Sequence, residues 1–259
     1  AHVERAKHNP AFLPTVLTKD FNIRETAAGA WLTFEQANNE AVFNIEDLRD
    51  CYGIGGVDLS ATTDLTAAMV LVMKPGSEQL WAIVQGFMPG ATIEQRSIED
   101  KVPYDKWAER GLITLCPGHR VDYRMVTDWF ASLRDSYGIV AYWVGYDSWN
   151  SPAWVEDMET RLGYTAKQNL LPVIMGAKTL SAPMKDLKAE LASKHVNYNN
   201  NPLMKWALTN MSVEMDKNEN IRPIKGKNQR QRIDPAVALL IAYTALQNNL
   251  EDYKGLIGW

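Results

Sequence analysis

Cysteine is almost missing from this chain. Cys51 and Cys116 are the only two; they form no C-x-x-C pair, and two thiols are too few for a disulfide scaffold. They read as buried thiols of a reducing compartment. Zinc-ligand spacing is missing as well, because His2, His8, His119 and His195 are scattered. No apolar run approaches the roughly 18 residues of a membrane span, and the N-terminal stretch lacks the continuous apolar core of a signal peptide, so a soluble protein without membrane contact is expected. An excess of positive charge is also lacking. With 27 Lys and Arg against 31 Asp and Glu the net charge is −4, and the overall field does not advertise nucleic-acid binding. There is no G-x-x-x-x-G-K-[ST] phosphate loop, since Gly226-Lys227 is followed by Asn228. Internal repeats and low-complexity tracts are not evident either.

What is present is enough apolar material for a large core: 259 residues, 46% hydrophobic, with nine Trp and ten Tyr. The composition fits one α/β domain with appended arms or two small domains. The chain is organised around residues 53–72. Gly53-Ile54-Gly55-Gly56-Val57 reads as the start of an apolar strand that delivers Asp58 at its end; a small polar turn carries Asp64, and Leu65 to Val72 forms a second buried strand. A carboxylate at the exit of a buried strand suits a metal ligand. It equally suits a turn, where Asp and Ser bond locally to the backbone.

Residues 1 to about 50 read as an arm, extended by Pro10 and Pro14, with Phe21, Ile23, Trp31 and Leu32 as apolar anchors and a short helix over Asn44 to Arg49. After the first two strands, Lys74-Pro75-Gly76-Ser77 is a turn and Leu80 to Met88 a third strand, completing an antiparallel meander. Thr92 to Arg110 is patterned as a helix, and Leu112 to Cys116 as a short strand. Asp122 can cap a helix through Leu133, with Val126, Trp129, Phe130 and Leu133 on one face. Ile139 to Asp147 is a nearly continuous apolar run, as expected of a strand buried on both faces, and it too ends in a carboxylate. Pro152 opens a helix through Leu162. Then follow a strand over Leu170 to Ile174, a helix from Ser181 to Ser193, a short helix over Leu203 to Leu208, a hairpin of Met211 to Met215 with Ile221 to Ile224, and a closing helix from Ile233 to Leu246. The order predicts a mixed-sheet α/β domain.

Asp58, Asp147 and Asp234 therefore have comparable settings: two strand ends and the first turn of the last helix. If the two strands are parallel neighbours, their carboxylates emerge together and Asp234 closes the cluster. Such groups repel by about 4 kcal/mol per pair at a separation of about 4 Å and an effective dielectric of about 20, so cations are needed to hold them. All-oxygen ligands favour Mg²⁺ or Mn²⁺, and two ions roughly 3.5–4 Å apart can drive phosphodiester hydrolysis. Asp64 can be a fourth ligand or a turn residue. The basic run from Lys217 to Arg232, with Lys225, Lys227, Arg230 and Arg232 nearest Asp234, would then lie where a phosphate backbone passes; alone it would read as a solvated loop.

Several motifs carry a resemblance. Gly55-Gly56-Val57-Asp58-Leu59-Ser60 with Asp64-Leu65-Thr66-Ala67, Tyr146-Asp147-Ser148-Trp149-Asn150, Asn201-Pro202-Leu203-Met204-Lys205-Trp206 with Asn210, and Arg232-Ile233-Asp234 before an Ala-rich helix resemble the large terminase subunit of tailed bacteriophages. The match runs over about residues 10 to 250 and lies in the C-terminal nuclease half of that family. It implies a ribonuclease H-like mixed sheet, three antiparallel strands plus parallel strands, flanked by helices, with a β-hairpin before the last helix. It also implies an endonuclease that cuts concatemeric viral DNA during genome packaging, with two divalent metals, in the host cytoplasm. Asp58, Asp147 and Asp234 match the family's acidic positions, and Asp64 a position acidic in some members. The implied partners are double-stranded DNA, the small terminase subunit, the portal ring and the chain's own ATPase domain, which residues 1–50 would follow as a linker to a nuclease domain over 51–259. Two other readings compete. Asp58-Leu59-Ser60-Ala61-Thr62-Thr63-Asp64 is also similar to the phosphate loop of sugar kinases and actin-like ATPases, though no second phosphate loop is found; and the domain could be a non-catalytic DNA- or portal-binding module.

Overall fold

In the computed structural model, which describes residues 29–59, 64–149, 151–166, 168–226 and 232–259, Trp31 and Leu32 are buried ahead of a short helix α1 (Phe34–Ala37). Thr33 closes a capping box on α1: its hydroxyl accepts from the Gln36 amide, and its own amide donates to the Gln36 side chain. A single 3₁₀ turn at Ile45–Leu48 leads into the sheet. The earlier part of the expected arm lies outside the described residues.

The meander is β1 (Tyr52–Asp58), β2 (Thr66–Val72) and β3 (Leu80–Pro89), joined antiparallel. The single helix expected over Thr92 to Arg110 is instead two, α2 (Ile93–Asp100) and α3 (Tyr104–Glu109). Lys101 turns left-handed, with φ 57°, and Pro103 behind it has no amide to continue the helix. Next come β4 (Ile113–Cys116) and α4 (Arg124–Tyr137), which runs one turn past Leu133 to a left-handed Gly138. β5 (Val140–Asp147), α5 (Pro152–Leu162) and β6 (Leu170–Val173) follow the expected order. α6 (Ala177–Ala192) begins one turn before Ser181, so Pro183 lies inside it. Leu180, Met184, Leu187 and Leu191 form one buried face on both sides of the proline, and packing of that face sets the helix start. A two-residue strand β7 (Val196–Asn197) precedes α7 (Pro202–Asn210), whose Asn201 cap accepts from the Leu203 and Met204 amides. The hairpin β8 (Met211–Met215) and β9 (Ile221–Lys225) is where it was expected. The closing helix α8 (Asp234–Asn248) is extended by a further helix, α9 (Leu250–Ile257).

The sheet order is β4-β3-β2-β1-β5-β6, with β7 beside the start of β3. Only β2 is reversed, so β1, β3, β4, β5 and β6 end on one edge and β2 begins there. α4 and α5 cover one face through Val126, Phe130, Trp154 and Met158, which pack against Val57, Val70 and Val144. α6, α7 and α8 cover the other face, over Ile54, Met69 and Leu71. α8 is apolar all round and buried along nearly its whole length.

The glycines ahead of Asp58, expected only to start the strand, lie inside β1 and have a packing role. Gly56 pairs with Gly145 of β5. A Cβ on Gly56 would sit 2.3 Å from the Ala238 carbonyl oxygen and 2.5 Å from the Ala242 nitrogen; one on Gly145 would sit 2.9 Å from Ile241 Cγ2. Two neighbouring strands thus lack side chains where α8 crosses them, and the helix backbone rests almost on the sheet. Strand side chains alternate, so Gly56 and Asp58 share a face, as do Gly145 and Asp147. That is the face α8 occupies. Among the described residues no helix is long and apolar enough to cross a membrane.

Candidate functional site

Val57 pairs with Tyr146 in the parallel β1–β5 ladder, so Asp58 and Asp147 leave the sheet as neighbours about one strand spacing, ~4.8 Å, apart. Asp234 opens α8, the helix that the glycine pair seats on the same face. Two strand ends and one helix start thus put the three aspartates on one edge, where the charges of Asp234 and Asp147 act on Asp58. Asp58 is partly exposed, and Asp147 Oδ1 accepts from the Trp149 amide at 3.1 Å. Asp234 is only 6% exposed, and its buried Oδ2 has no hydrogen-bond partner among the described residues. An orphaned buried oxygen of this kind is rare in native proteins and points to a missing ion or water.

The electrostatics follow from this crowding. Loss of hydration, then the charges of Asp234 and Asp147, hold the Asp58 carboxyl well above the usual carboxylate range. Burial and the neighbouring Asp64 push Asp234 up to about 6, against the opposing pull of Lys225, its own backbone amide and Arg232. The position at the helix start favours the carboxylate, but burial outweighs it. Among the described residues no three His, Cys, Asp or Glu side chains are gathered tightly enough to hold a metal ion as they stand.

Asp64 lies just ahead of β2 in a different environment. Arg232 Nη1 is 2.6 Å from its Oδ2, Lys225 Nζ is 3.9 Å away, and its Oδ1 accepts from the Leu65 amide. Arg232, expected in the phosphate-facing run, is 8% exposed; its other nitrogen, Nη2, is 3.8 Å from Asp100 Oδ2, which also accepts from the Tyr104 hydroxyl at 3.1 Å. Its carbonyl accepts from Asn210 Nδ2 at the end of α7. Arg232 is therefore an internal counter-ion that ties α2, the turn before β2 and the start of α8 together. Asp100 and Tyr104 were missed from the sequence because their spacing to Asp64 and Asp234 carries no signal. Lys225 ends β9 at the rim of the acidic cluster, while Lys227 and Arg230 lie outside the described residues. Cys116 is buried and Cys51 partly so, both as free thiols away from these groups.

Comparison with known proteins bears on the family of the chain. The family described as terminase large subunit, endonuclease domain, matches residues 1–249. The large terminase subunit of Enterobacteria phage HK97 is 25% identical over 256 residues, covering 97% of this chain and 48% of that protein. Protein YmfN of Escherichia coli K12 is 25% identical over 254 residues, covering 92% of this chain and 53% of its own length. The chain thus spans about half the length of these relatives. The crystal structure of the HK97 large terminase superposes with a TM-score of 0.70 at 22% identity, over 94% of this chain and 49% of that one. The large terminase nuclease of thermophilic phage G20c with bound magnesium superposes at 0.52 and 15% identity, over 84% and 98%. The family match spans nearly the whole chain, the fold agrees with that of the HK97 large terminase, and the chain belongs to the terminase large subunit endonuclease-domain family.

Proposed function

We propose that this chain is a divalent-metal-dependent DNA endonuclease whose working substrate is concatemeric viral DNA during genome packaging. The observation that carries this reading is the buried Oδ2 of Asp234, without a hydrogen-bond partner among the described residues, on a helix start whose charge, with that of Asp147, acts on Asp58. Hard carboxylate oxygens with unmet charge suit Mg²⁺ or Mn²⁺, and the G20c terminase nuclease holds magnesium in one structure and cobalt in another. Asp58, Asp147 and Asp234 would hold two ions. Bound there, the ions would supply an activated water and stabilise the leaving oxygen of the phosphodiester.

The chain's own groups prepare that chemistry. Asp58 and Asp234 hold protons more readily than ordinary carboxylates, so cations bound there would favour their ionised form. Asp64 is held by Arg232 and serves the cluster as a fixed neighbouring charge. Lys225, with Lys227 and Arg230 in the same run, meets the phosphate backbone; Arg232 acts on the cluster from inside. The small terminase subunit, the portal ring and an ATPase region of the same polypeptide are the partners this role requires.

Plasmid cleavage in Mn²⁺ by Asp58→Ala, Asp147→Ala and Asp234→Ala tests the reading. Each variant is expected to fold, by circular dichroism, and to lose cleavage. Unaltered cutting in all three would sink the assignment.

A further inference from the structure

The sheet edge that bears the aspartates continues past them on both sides. Four neighbouring strands meet it in the order β2, β1, β5, β6, with Asp64 just ahead of β2, Asp58 ending β1, Asp147 ending β5 and Val173 ending β6. The β2 flank carries one accessible cation, Lys225, at the rim of the acidic cluster. The β6 flank carries large apolar groups in the open: Trp149 is 85% exposed and Ile174 68% exposed.

Register brings the two chain segments out at the same edge. Asp147 pairs with Val173 at the ends of neighbouring strands; Ile174 is the next residue after β6, and Trp149 comes two residues after Asp147, within about 7 Å of chain. The Trp149 amide also donates to Asp147 Oδ1, which fastens the turn bearing the indole to a proposed metal ligand. A tryptophan is usually among the most buried side chains, and neighbouring exposed apolar groups mark an interaction surface.

The geometry decides the kind of partner. From β2 to β6 is three strand spacings, about 14 Å, or about four base-pair steps of 3.4 Å. A strand whose phosphate lies over Asp58 and Asp147 therefore reaches both flanks at once. A lysine on one flank takes phosphate; on the DNA, the apolar flank suits the faces of bases and sugars.

We propose that Trp149, backed by Ile174, is a DNA-engaging prong whose indole packs against the base and deoxyribose next to the phosphate that is cut. Apolar wedges of this sort unstack or kink a duplex, and aromatic faces accept any base. The prong fixes which phosphate sits over the aspartates. This rests on the nuclease reading given above.

The test uses the 259-residue chain with Trp149→Ala and Trp149→Phe, on duplexes carrying 2-aminopurine beside the cut position. Trp149→Ala is expected to raise KM for DNA by about ten-fold or more, with a smaller change in kcat, and to abolish the 2-aminopurine signal change. Trp149→Phe should restore most of both. Mn²⁺ affinity by calorimetry and the melting temperature should stay at wild-type values. A parallel arm measures DNA affinity by fluorescence anisotropy in an Asp58→Asn background, which needs no cleavage, and the same loss is expected there. Unchanged KM and unchanged anisotropy in Trp149→Ala would overturn the proposal, as for a tryptophan that docks a protein surface instead. If the wild type leaves DNA uncut in Mn²⁺, the nuclease reading fails on its own, and the anisotropy arm still decides the prong.

Discussion

Replacing Asp234 by Asn should make the metal-free protein more stable at neutral pH. Asp234 titrates at about 6 in the folded protein against 3.8 for an ordinary aspartate, chiefly because it is buried and next to Asp64. Between those values the folded state keeps a proton that the unfolded chain has released. Stability therefore falls as pH rises through this window, and the loss is complete above the folded value. The difference between these two values corresponds to about 3 kcal/mol. Asn has the same shape and no charge, so it removes this loss, and it relieves Asp58, whose carboxyl is raised partly by Asp234. The gain should be up to about 3 kcal/mol at pH 7.5, or about 6–12 °C in melting temperature, shrinking to nothing near pH 4. Urea unfolding in EDTA across that pH range measures it. Added Mg²⁺ should stabilise the wild type, since an ion that binds only the folded state does so by mass action, and should do far less for the variant. An Asn variant no more stable than wild type at pH 7.5, or one whose advantage persists unchanged at pH 4, would refute the electrostatic reasoning.

Two further changes probe how the site is held. Gly56→Ala puts a methyl against the α8 backbone and should cost about 1–3 kcal/mol in urea unfolding while weakening Mn²⁺ binding in calorimetry, because Asp234 moves with the helix. Arg232→Met leaves Asp64 and Asp100 without their shared cation and should destabilise by about 3–5 kcal/mol in thermal unfolding, where a surface phosphate-binding arginine would cost almost nothing.

The strand ends were readable because an apolar run closed by Asp leaves little choice. Val140 to Tyr146 is consistent with a buried strand, and Asp147 must emerge from it. The mixed order of the sheet followed from tight turns at first and helical crossovers later. Other features had no local signature. Glycine within a strand weakens it, so the role of Gly56 and Gly145 appears only when α8 is laid over them. Pro183 looks like a helix start until the apolar face on both sides of it is packed. Arg232 sits in a run of cations that a linear reading treats alike; its partners Asp64 and Asp100 are far away in sequence, and only the fold turns it inward.

The all-round burial of α8 has a mechanical consequence for its first residue. A helix wedged between the sheet, α6 and α7, with no exposed face to rotate toward, cannot slide without moving the core. Asp234 is therefore the stiff jaw of the cluster. Asp147 ends a strand whose next residues, Ser148 and Trp149, are exposed, and its carboxylate is held by one amide of that turn. In the proposed metal site it would be the compliant jaw, and any closing of the three carboxylates around an ion would fall mainly to it.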